Sequence, residues 1–257
     1  MMPPRPVVLV TRARSQQEPL VVALHQAGYD AARLAAIEIT HLPSSIQLVA
    51  EPPVDTVMAF TSANAVHAAA DNGLLDWLLR VPRSNTLLAI GPATARALET
   101  LTAQQVVTVP HPHTSETLLQ MALWQNTQPR KVELIKGVGG RGLIGAALQQ
   151  RGFKVREHDV YQRDLPAIDT ERVSGQLLHP ALAAATVTSN EVLQHLLQIA
   201  AACGNREQQR LQGLPLVVCS DRAHALALEL GFHNKIQIAD NASVDAIVDA
   251  VNQVFNR

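Results

Sequence analysis

The two halves of this chain carry the same succession of strand and helix signals, displaced by about half the chain length. Residues 8–39 align with residues 132–163 without a gap, at a constant separation of 124 residues. The repeat continues to residues 113–123 and 241–251, where the separation has grown only to 128 residues. So small a change over a half-chain indicates a duplicated unit rather than chance. It predicts two α/β units of similar design that face one another across a cleft.

Composition limits the partners of such a chain. It has 257 residues, 47% hydrophobic and 17% charged, which is enough to bury one large core or two modest ones. The formal net charge is −1, so an anionic ligand must be held by locally placed donors rather than by a broad basic field. No apolar run approaches the roughly 18 to 20 residues that span a bilayer, and the N-terminus lacks the features of a secretory signal. We expect a globular cytoplasmic protein with neither nucleic acid nor membrane as a partner, and nothing demands an oligomer rather than a monomer.

Neither the cysteines nor the histidines predict a metal or redox site. Cys203 and Cys219 fall in different predicted elements and form no CxxC pair, which favours their interpretation as structural thiols. His111 and His113 lie in a Pro-His-Pro-His stretch without Asp, Glu or Cys at ligand spacing. A solvated loop is the better interpretation of that stretch, and we expect no metal.

Each copy begins with the pattern of a strand, a crossover helix and a second strand. A β-branched run is followed by an amphipathic stretch that ends at Gly28 or Gly152, which predicts a helix closed by a glycine. The apolar residues of the next segments, 32–39 and 155–163, roughly alternate with polar ones. Alternation of this kind predicts half-exposed strands.

Three further strand–helix pairs complete each copy. Their strands are predicted at residues 56–60, 86–90 and 106–109 in the first copy and at residues 184–188, 214–218 and 236–239 in the second. Strands that alternate with helices imply parallel sheets with right-handed crossovers. The predicted fold class is therefore α/β, with two similar lobes, each a parallel sheet flanked by helices. The pattern leaves open whether the lobes are consecutive or interleaved, because 32–39 and 155–163 could each carry the chain between them.

Hydroxyl residues gather where predicted strands end and helices begin. Thr61 and Ser62 follow one strand, and Thr188 and Ser189 follow its counterpart in the second copy. Ligands of parallel sheets bind beyond the carboxyl ends of the strands, where helix N-termini present free N–H groups. Helix capping explains one hydroxyl per helix, but not a Thr–Ser pair at equivalent turns of both copies. The pairs therefore predict binding of the anionic or hydrogen-bonding arms of a ligand.

Two more turns of this kind follow other predicted strands. One carries Gly91 and Thr94 in the first copy, and the other carries Ser220 and Arg222 in the second. They add to the same predicted ligand site.

Cations occupy the same strand ends. Arg12 ends the first strand of the first copy, and Lys136 ends its equivalent 124 residues later, while Arg141 and Arg222 open later helices. A single arginine at a strand end is usually a surface residue, but several along one edge suit carboxylates, which guanidinium binds in a bidentate manner. The cations thus predict an anionic ligand.

A glycine motif supports a different hypothesis. Gly137, Gly139 and Gly142 fit GxGxxG between a predicted strand and helix, and Asp159 lies 20 residues beyond the second glycine. This is the fingerprint of a dinucleotide site in a plausible context. The matching turn of the first copy, residues 12–15, contains no glycine, and a nicotinamide site would not explain the hydroxyl pairs of both copies. The motif therefore supports the alternative rather than the preferred hypothesis.

Tyr161 is the remaining candidate for chemistry. It is one of two tyrosines in the chain and lies near the end of the segment 155–163. A phenol there could reach the cleft as a hydrogen-bond donor or weak acid, although packing on the strand face would also explain it.

At these positions the chain resembles the uroporphyrinogen-III synthase family of tetrapyrrole biosynthesis. The matching motifs extend over nearly the whole length: VTR at 10–12, FTSANAV at 60–66, IGPATARAL at 90–98, KGVGGR at 136–141, VYQR at 160–163, VTSNEVL at 187–193 and CSDRAHALALELG at 219–231. Each motif is short, but their order and spacing together are specific.

The resemblance implies a particular organisation of the two lobes. Residues 1–34 and 164–257 would form one discontinuous lobe, and residues 41–154 would form the other. Residues 35–40 and 155–163 would be the two strands of a β connector.

The resemblance also implies a cofactor-free cyclisation. The substrate would be the linear tetrapyrrole hydroxymethylbilane, whose acetate and propionate arms are anionic. Loss of its terminal hydroxyl as water would leave an azafulvenium cation, and a spiro intermediate would invert ring D to give uroporphyrinogen III. A transient contact with hydroxymethylbilane synthase would supply this substrate.

By resemblance, Tyr161 would assist the departure of the hydroxyl. Other residues would bind the carboxylates and pyrroles of the substrate: Arg12, Thr61, Ser62, Gly91, Thr94, Lys136, Gly139, Arg141, Ser189, Ser220 and Arg222. The segment from Cys219 to Arg222 departs from the GPTTA-like turn of some family members, and we expect Arg222 to take over an anion contact there. Two alternatives stay open, a nicotinamide-dependent oxidoreductase using the glycine motif and a two-lobed binding protein without chemistry.

Overall fold

The computed structural model describes residues 5–43, 55–74, 85–125, 131–139 and 142–256. Strands within these ranges are β1 (Val7–Val10), β2 (Asp30–Arg33), β3 (Glu38–His41), β4 (Thr56–Phe60), β5 (Thr86–Ala89), β6 (Val106–Thr108), β7 (Lys131–Gly137), β8 (Lys154–Asp164), β9 (Leu182–Thr186), β10 (Leu216–Val218) and β11 (Ile236–Ile238). The α-helices there are α1 (Glu18–Gln26), α2 (Ala63–Ala69), α3 (Pro92–Thr102), α4 (Ser115–Gln120), α5 (Leu143–Gln150), α6 (Thr170–Leu177), α7 (Asn190–Cys203), α8 (Asn205–Gln212), α9 (Asp221–Glu229) and α10 (Val244–Val254). Short 3₁₀ turns at Arg14–Gln16 and Ala122–Trp124 and a π turn at Ala70–Leu74 join some of them.

The chain folds into two compact units, each built on its own sheet. Unit 1 comprises residues 1–38 and 164–257, and unit 2 comprises residues 39–163. The sheet of unit 1 has the order β11-β10-β9-β1-β2, and that of unit 2 the order β3-β8-β7-β4-β5-β6. Strands β1, β2, β9, β10 and β11 pair in parallel in one sheet, and β4 to β8 do so in the other. The predicted α/β class with two parallel sheets is confirmed.

Each sheet combines strands from both sequence copies, and these strands follow the same order in the two sheets. The opening strands of the first copy, β1 and β2, lie beside β9 to β11 of the second copy. The opening strands of the second copy, β7 and β8, lie beside β4 to β6 of the first. In each sheet, a copy's opening strand thus pairs with a later strand of the other copy.

Strand β4 is apolar from residue 57 to residue 60 because both of its faces are buried. Met58 and Phe60 pack into the cluster on one face of the sheet, and Val57 and Ala59 pack into the cluster on the other. A parallel strand whose two faces are both covered by helices reads as a continuous apolar run. The unit 2 core therefore lies on both sides of β4.

In unit 1, helices α1 and α10 pack on the same face of the sheet and cover it. Leu20 and Leu24 of α1 and Ile247 and Val251 of α10 join Val8 in one buried cluster. Their spacing of three or four residues puts each pair on a single helix face.

The helices α1 and α5 both end as their sequence predicts. Gly28 and Gly152 each follow the helix end by two residues and have φ angles of +89° and +87°. This left-handed conformation favours glycine and stops a helix.

One predicted strand is wrong as a single element. Residues 32–39 form the end of β2 and the start of β3, which belong to different sheets. Between them the backbone leaves the strand conformation, and the N–H of Ala36 donates to the carbonyl of Thr11 at 3.0 Å. Leu34, Ala36 and Ile37 are all buried. The apolar residues of this segment therefore serve a buried crossing segment rather than the inner face of one strand.

Candidate active site

A cavity of about 460 Å³ opens in unit 2, where the carboxyl ends of β4 and β7 lie side by side. The order of the sheet reverses here, since β5 and β6 follow on the side of β4 and β8 follows on the side of β7. Open α/β sheets bind ligands in the crevice at such a switch point. The lining residues are Thr61, Ile90, His113, Thr114, Ser115, Glu116, Leu134, Lys136, Gly137, Gly139, Gly142, Leu143, Ile144, Gly145, Glu157, Tyr161 and Arg163.

Tyr161 reaches the cavity because β8 has one extra residue there. Lys136 of β7 pairs with Asp159, but the following Gly137 pairs with Tyr161, so the register slips at Val160. A bulge of this kind re-aims the side chains after it. Tyr161 consequently packs in the same buried cluster as Val160 and is only 3% exposed.

The ring of Tyr161 lies against the backbone of Gly137. A Cβ atom at position 137 would overlap the ring. The first glycine of the GxGxxG motif therefore makes room for a tyrosine, a requirement unrelated to a dinucleotide phosphate.

Two side chains hold the phenol group of Tyr161. Its hydroxyl oxygen lies 3.1 Å from Oγ of Ser62 and accepts a hydrogen bond from a guanidinium N–H of Arg163 at 3.1 Å. The Arg163 guanidinium carbon also lies 5.7 Å from the centre of the tyrosine ring, within range of a cation–π interaction. The phenol thus stands at the cavity wall in a fixed polar setting.

Ser62 is held by the helix it begins. It is the N-cap residue of α2, and its Oγ accepts a hydrogen bond from the N–H of Ala65 at 3.1 Å. This is ordinary helix capping, which removes one unpaired N–H from the first turn. Thr61 precedes it and lines the cavity, and the N–H of Thr61 donates to the carbonyl of Ile135 across the sheet. The predicted Thr61–Ser62 turn is therefore part of the candidate site.

Lys136 lies in the cavity wall with two carboxylates beside it. Its Nζ is 2.8 Å from Asp159 and 3.4 Å from Glu157. Burial by itself lowers the pKa of Lys136, but the hydrogen bond and charge of Asp159, together with Glu157, outweigh burial and raise the pKa overall. Lys136 therefore stays cationic and is paired with two carboxylates of the protein.

Glu157 reaches Lys136 because helix α5 has a glycine at the contact. A Cβ atom on Gly145 would lie 1.8 Å from Oε1 of Glu157. The carboxylate therefore sits against the first turns of α5, where the positive end of the helix dipole favours a negative charge.

The rest of the glycine motif is only partly described. Gly139 and Gly142, which precedes α5, both line the cavity, and the predicted contact of Gly139 with substrate stays a prediction. Arg141, a predicted substrate-binding residue, lies outside the described residues together with Gly140.

Gly91 and Thr94 lie nearby on helix α3 but are not among the residues that line the cavity. Gly91 is the N-cap residue of α3, and Thr94 is buried within its first turn. Their predicted contact with substrate stays a prediction.

The other predicted residues belong to unit 1. Arg12 donates to the carbonyl of Ala242, and burial lowers the pKa of its guanidinium. Ser189 and Ser220 cap α7 and α9 through their Oγ atoms, each at 3.2 Å from a backbone nitrogen. Arg222 is exposed in the first turn of α9. Capping accounts for both serines, and a ligand shared with the turns of unit 2 stays a prediction.

Two residues of the candidate site, Arg163 and Glu157, were not predicted from the sequence. Arg163 lies two positions after Tyr161 on the same strand, a spacing that puts side chains on one face. That signal was present in the VYQR motif. Glu157 carried no such signal, because its contact with Gly145 depends on how α5 packs.

Comparison with known proteins identifies relatives over almost the whole chain. A sequence model of the family described as "Uroporphyrinogen-III synthase HemD" matches residues 18–249. The uroporphyrinogen-III synthase of Escherichia coli (strain K12) is 34% identical over 95% of this chain and 99% of its own length. That of Salmonella typhimurium (strain LT2) is 31% identical, with the same shares of the two chains covered.

A solved structure supports the fold. The uroporphyrinogen-III synthetase of Helicobacter pylori 26695 superposes with a TM-score of 0.64, covering 98% of this chain and 100% of its own. Its sequence is 15% identical, so this likeness concerns the architecture alone.

Proposed function

The chain belongs to the uroporphyrinogen-III synthase family, and we propose that it closes hydroxymethylbilane to uroporphyrinogen III with Tyr161 at the reacting end. Family membership favours a cofactor-free cyclising lyase over the nicotinamide-dependent oxidoreductase and the binding protein without chemistry. One observation carries the placement of the site: the hydroxyl of Tyr161, held by Ser62 and Arg163, stands in the wall of the unit 2 cavity.

The proposed reaction begins when the C–O bond of the terminal hydroxymethyl group breaks. The oxygen leaves with the bonding electrons and takes up a proton to become water, and the pyrrole end becomes an azafulvenium cation. The substituted carbon of ring D attacks this cation to give a spiro intermediate. Fragmentation and reclosure invert ring D, and loss of a proton from a pyrrole carbon completes the macrocycle.

Tyr161 is proposed to donate a hydrogen bond to the departing hydroxyl. A positioned phenol is a weak acid that can share its proton with a leaving oxygen, and no strong base is needed for the closure. The proton that ring D finally loses balances the one that the leaving hydroxyl takes up. The enzyme therefore returns to its starting state without a cofactor.

The cavity is proposed to hold the reacting end of the substrate. A volume of about 460 Å³ lies within the range of small-molecule sites. Thr61, Lys136 and Gly139 lie in its wall as predicted anchors for carboxylates and pyrrole N–H groups. Further anchors are proposed at Arg12, Gly91, Thr94, Ser189, Ser220 and Arg222, which are not among the residues that line the cavity, and at Arg141, which lies outside the described residues.

Conformational control is proposed to be the main task of the enzyme. Hydroxymethylbilane closes spontaneously to the type I isomer, so catalysis must bring the substituted carbon of ring D closer than the unsubstituted one. Holding two reacting groups in one geometry can supply about 7 to 11 kcal/mol of a barrier. Anchors distributed along a linear substrate serve this purpose better than one strong acid.

Because hydroxymethylbilane closes spontaneously, the enzyme that makes it should be close to the enzyme that uses it. We propose that the chain works in the cytoplasm and takes hydroxymethylbilane through transient contact with hydroxymethylbilane synthase, before type I closure occurs.

The proposed function is tested by the isomer that forms. Hydroxymethylbilane is generated in situ by hydroxymethylbilane synthase, with and without this protein, and the oxidised products are resolved by chromatography. We expect type III with the protein and type I without it. Type I alone in both samples would reject the proposal.

A further inference from the structure

Arg163 contacts the candidate catalytic tyrosine rather than only lining the cavity. Its guanidinium donates to the hydroxyl oxygen of Tyr161 at 3.1 Å, and both residues lie in the wall of the unit 2 cavity. Guanidinium has only N–H donors, so Arg163 must occupy an acceptor position of the phenol oxygen.

The contacts of Ser62 limit what the phenol can do with its own proton. Oγ of Ser62 already accepts from the N–H of Ala65 at 3.1 Å and keeps its own proton to donate. When Ser62 donates that proton across the 3.1 Å contact, the Tyr161 oxygen accepts from both Ser62 and Arg163. The O–H of Tyr161 is then left to donate into the cavity.

The ring itself has little freedom to turn away. It is 3% exposed, and its face rests on Gly137, where even a Cβ atom would overlap it. Ring packing and the two polar contacts thus fix the position of the oxygen, and with Ser62 as the donor they leave the Tyr161 proton available to an acceptor in the cavity.

We propose that Arg163 is a positioning residue that directs the Tyr161 hydroxyl toward the leaving oxygen and stabilises the negative charge that develops on the phenol. The proposal rests on the proposed function and deepens it. A hydrogen bond to a charged donor is roughly twice as strong as a neutral one. Donors aimed at an atom where charge develops act most strongly in the transition state. Arg163 therefore affects the chemical step through Tyr161.

The competing role for Arg163 is direct binding of a substrate carboxylate. That role would appear in KM and would not depend on the Tyr161 hydroxyl. The two roles are therefore separated by combining an Arg163 variant with Tyr161→Phe.

The test measures kcat and KM with hydroxymethylbilane for Arg163→Met, Arg163→Lys, Tyr161→Phe and the double variant Arg163→Met/Tyr161→Phe. Arg163→Met should lower kcat by about 10- to 100-fold and change KM by less than about 3-fold. Arg163→Lys keeps a cationic donor and should recover kcat to within about 5-fold of the parent. Adding Arg163→Met to Tyr161→Phe should change kcat by less than about 2-fold, because the hydroxyl on which Arg163 acts is gone.

Lys154→Met provides the matched control, since it removes a cation from the exposed start of the same strand. It should leave kcat and KM unchanged. If Arg163→Met fails to fold, as seen by circular dichroism, Arg163→Gln replaces it in the same cycle.

Independent, multiplicative losses in the double variant would overturn the proposal, and so would a rise in KM at constant kcat. Either result, obtained while the parent protein still makes type III, would leave the proposed function intact. Absence of type III with the parent protein would instead reject the proposed function itself.

Discussion

Gly137 lies directly beneath the ring of Tyr161: a Cβ atom at position 137 would stand 2.5 Å from Cζ and 2.9 Å from both Cε atoms. Real Cβ atoms do not approach other atoms so closely, so a larger residue must displace the ring. Because Gly137 of β7 has no side-chain methyl group, the ring of Tyr161 on β8 can take this position, and the position of its hydroxyl follows from it.

Gly137→Ala should therefore impair both activity and stability. Displacement of a catalytic group by about 1 Å can cost about 100-fold in rate, whereas overpacking of this size costs about 1 to 3 kcal/mol in the free energy of unfolding. Type III formation and urea denaturation measure the two effects. Gly175→Ala is the control, because a Cβ atom there meets nothing within 4 Å and α6 should gain about 0.5 to 1 kcal/mol. Full activity of Gly137→Ala would show that the position of the ring is not critical.

Tyr161→Phe should lower kcat without changing which isomer forms. Loss of one positioned proton donor typically costs about 100-fold or more, but the anchors that fold the substrate stay in place. Chromatography of the oxidised product should still show type III, formed more slowly. Unchanged turnover would remove Tyr161 from the mechanism.

Ser62→Ala should affect both stability and activity, because Ser62 has two partners. Loss of its capping bond to Ala65 should cost about 1 kcal/mol in the free energy of unfolding. Loss of its contact with Tyr161 should lower kcat by about 3- to 10-fold. Ser243→Ala is the matched control, since Ser243 caps α10 through the N–H of Ala246 at 3.3 Å. It should lose similar stability and no activity; equal activity losses in both variants would refute a role for the Ser62 contact.

The duplication and the strand patterns were sufficient to predict two parallel sheets flanked by helices, but they left open whether the two copies form consecutive or interleaved lobes. Each predicted strand of the later pairs corresponds to an observed one. Strands such as 56–60 are buried on both faces and therefore leave an apolar run in the sequence. The prediction of one strand at 32–39 failed because Leu34 and Ile37 are buried by tertiary contacts that a local alternation pattern does not record.

The sequence predicted only some of the residues that line the candidate cavity, and it did not predict their contacts. Strand ends carrying Thr61 and Lys136 do line the cavity, since that follows from the rule for parallel sheets. The pairing of Tyr161 with Gly137 depends on a slip in register at Val160, which no local pattern marks. The ion pair between Lys136 and Glu157 likewise depends on tertiary packing, which no local pattern marks.

Cys219 should be a poorly reactive thiol. Burial raises its pKa to about 11, and the nearby charge of Arg12 only partly opposes this. At pH 8 the thiolate fraction is then about 0.1%, against about 10% for a thiol with a pKa near 9, so alkylation should be about 100-fold slower. Mass spectrometry of a Cys203→Ser variant with iodoacetamide measures Cys219 alone, with free cysteine as reference. Reaction at the rate of free cysteine would contradict a partly buried, protonated thiol.

His158→Leu should strongly destabilise unit 2, because it leaves the carboxylate of Glu133 buried without its partner. Nε2 of His158 lies 2.5 Å from Oε2 of Glu133, and both side chains are less than 10% exposed. Breaking a buried pair of this kind costs about 3 to 5 kcal/mol, whereas replacing both members by apolar residues is often nearly neutral. Urea denaturation should therefore show that Glu133→Leu/His158→Leu is more stable than His158→Leu alone.

Arg156→Met serves as the control for this pair. Arg156 is largely exposed and lies 3.9 Å from the other carboxylate oxygen of Glu133, so its loss should cost less than about 1 kcal/mol. A double variant less stable than His158→Leu would contradict this prediction, because it would mean that Glu133 without His158 costs no more than leucine at the same position.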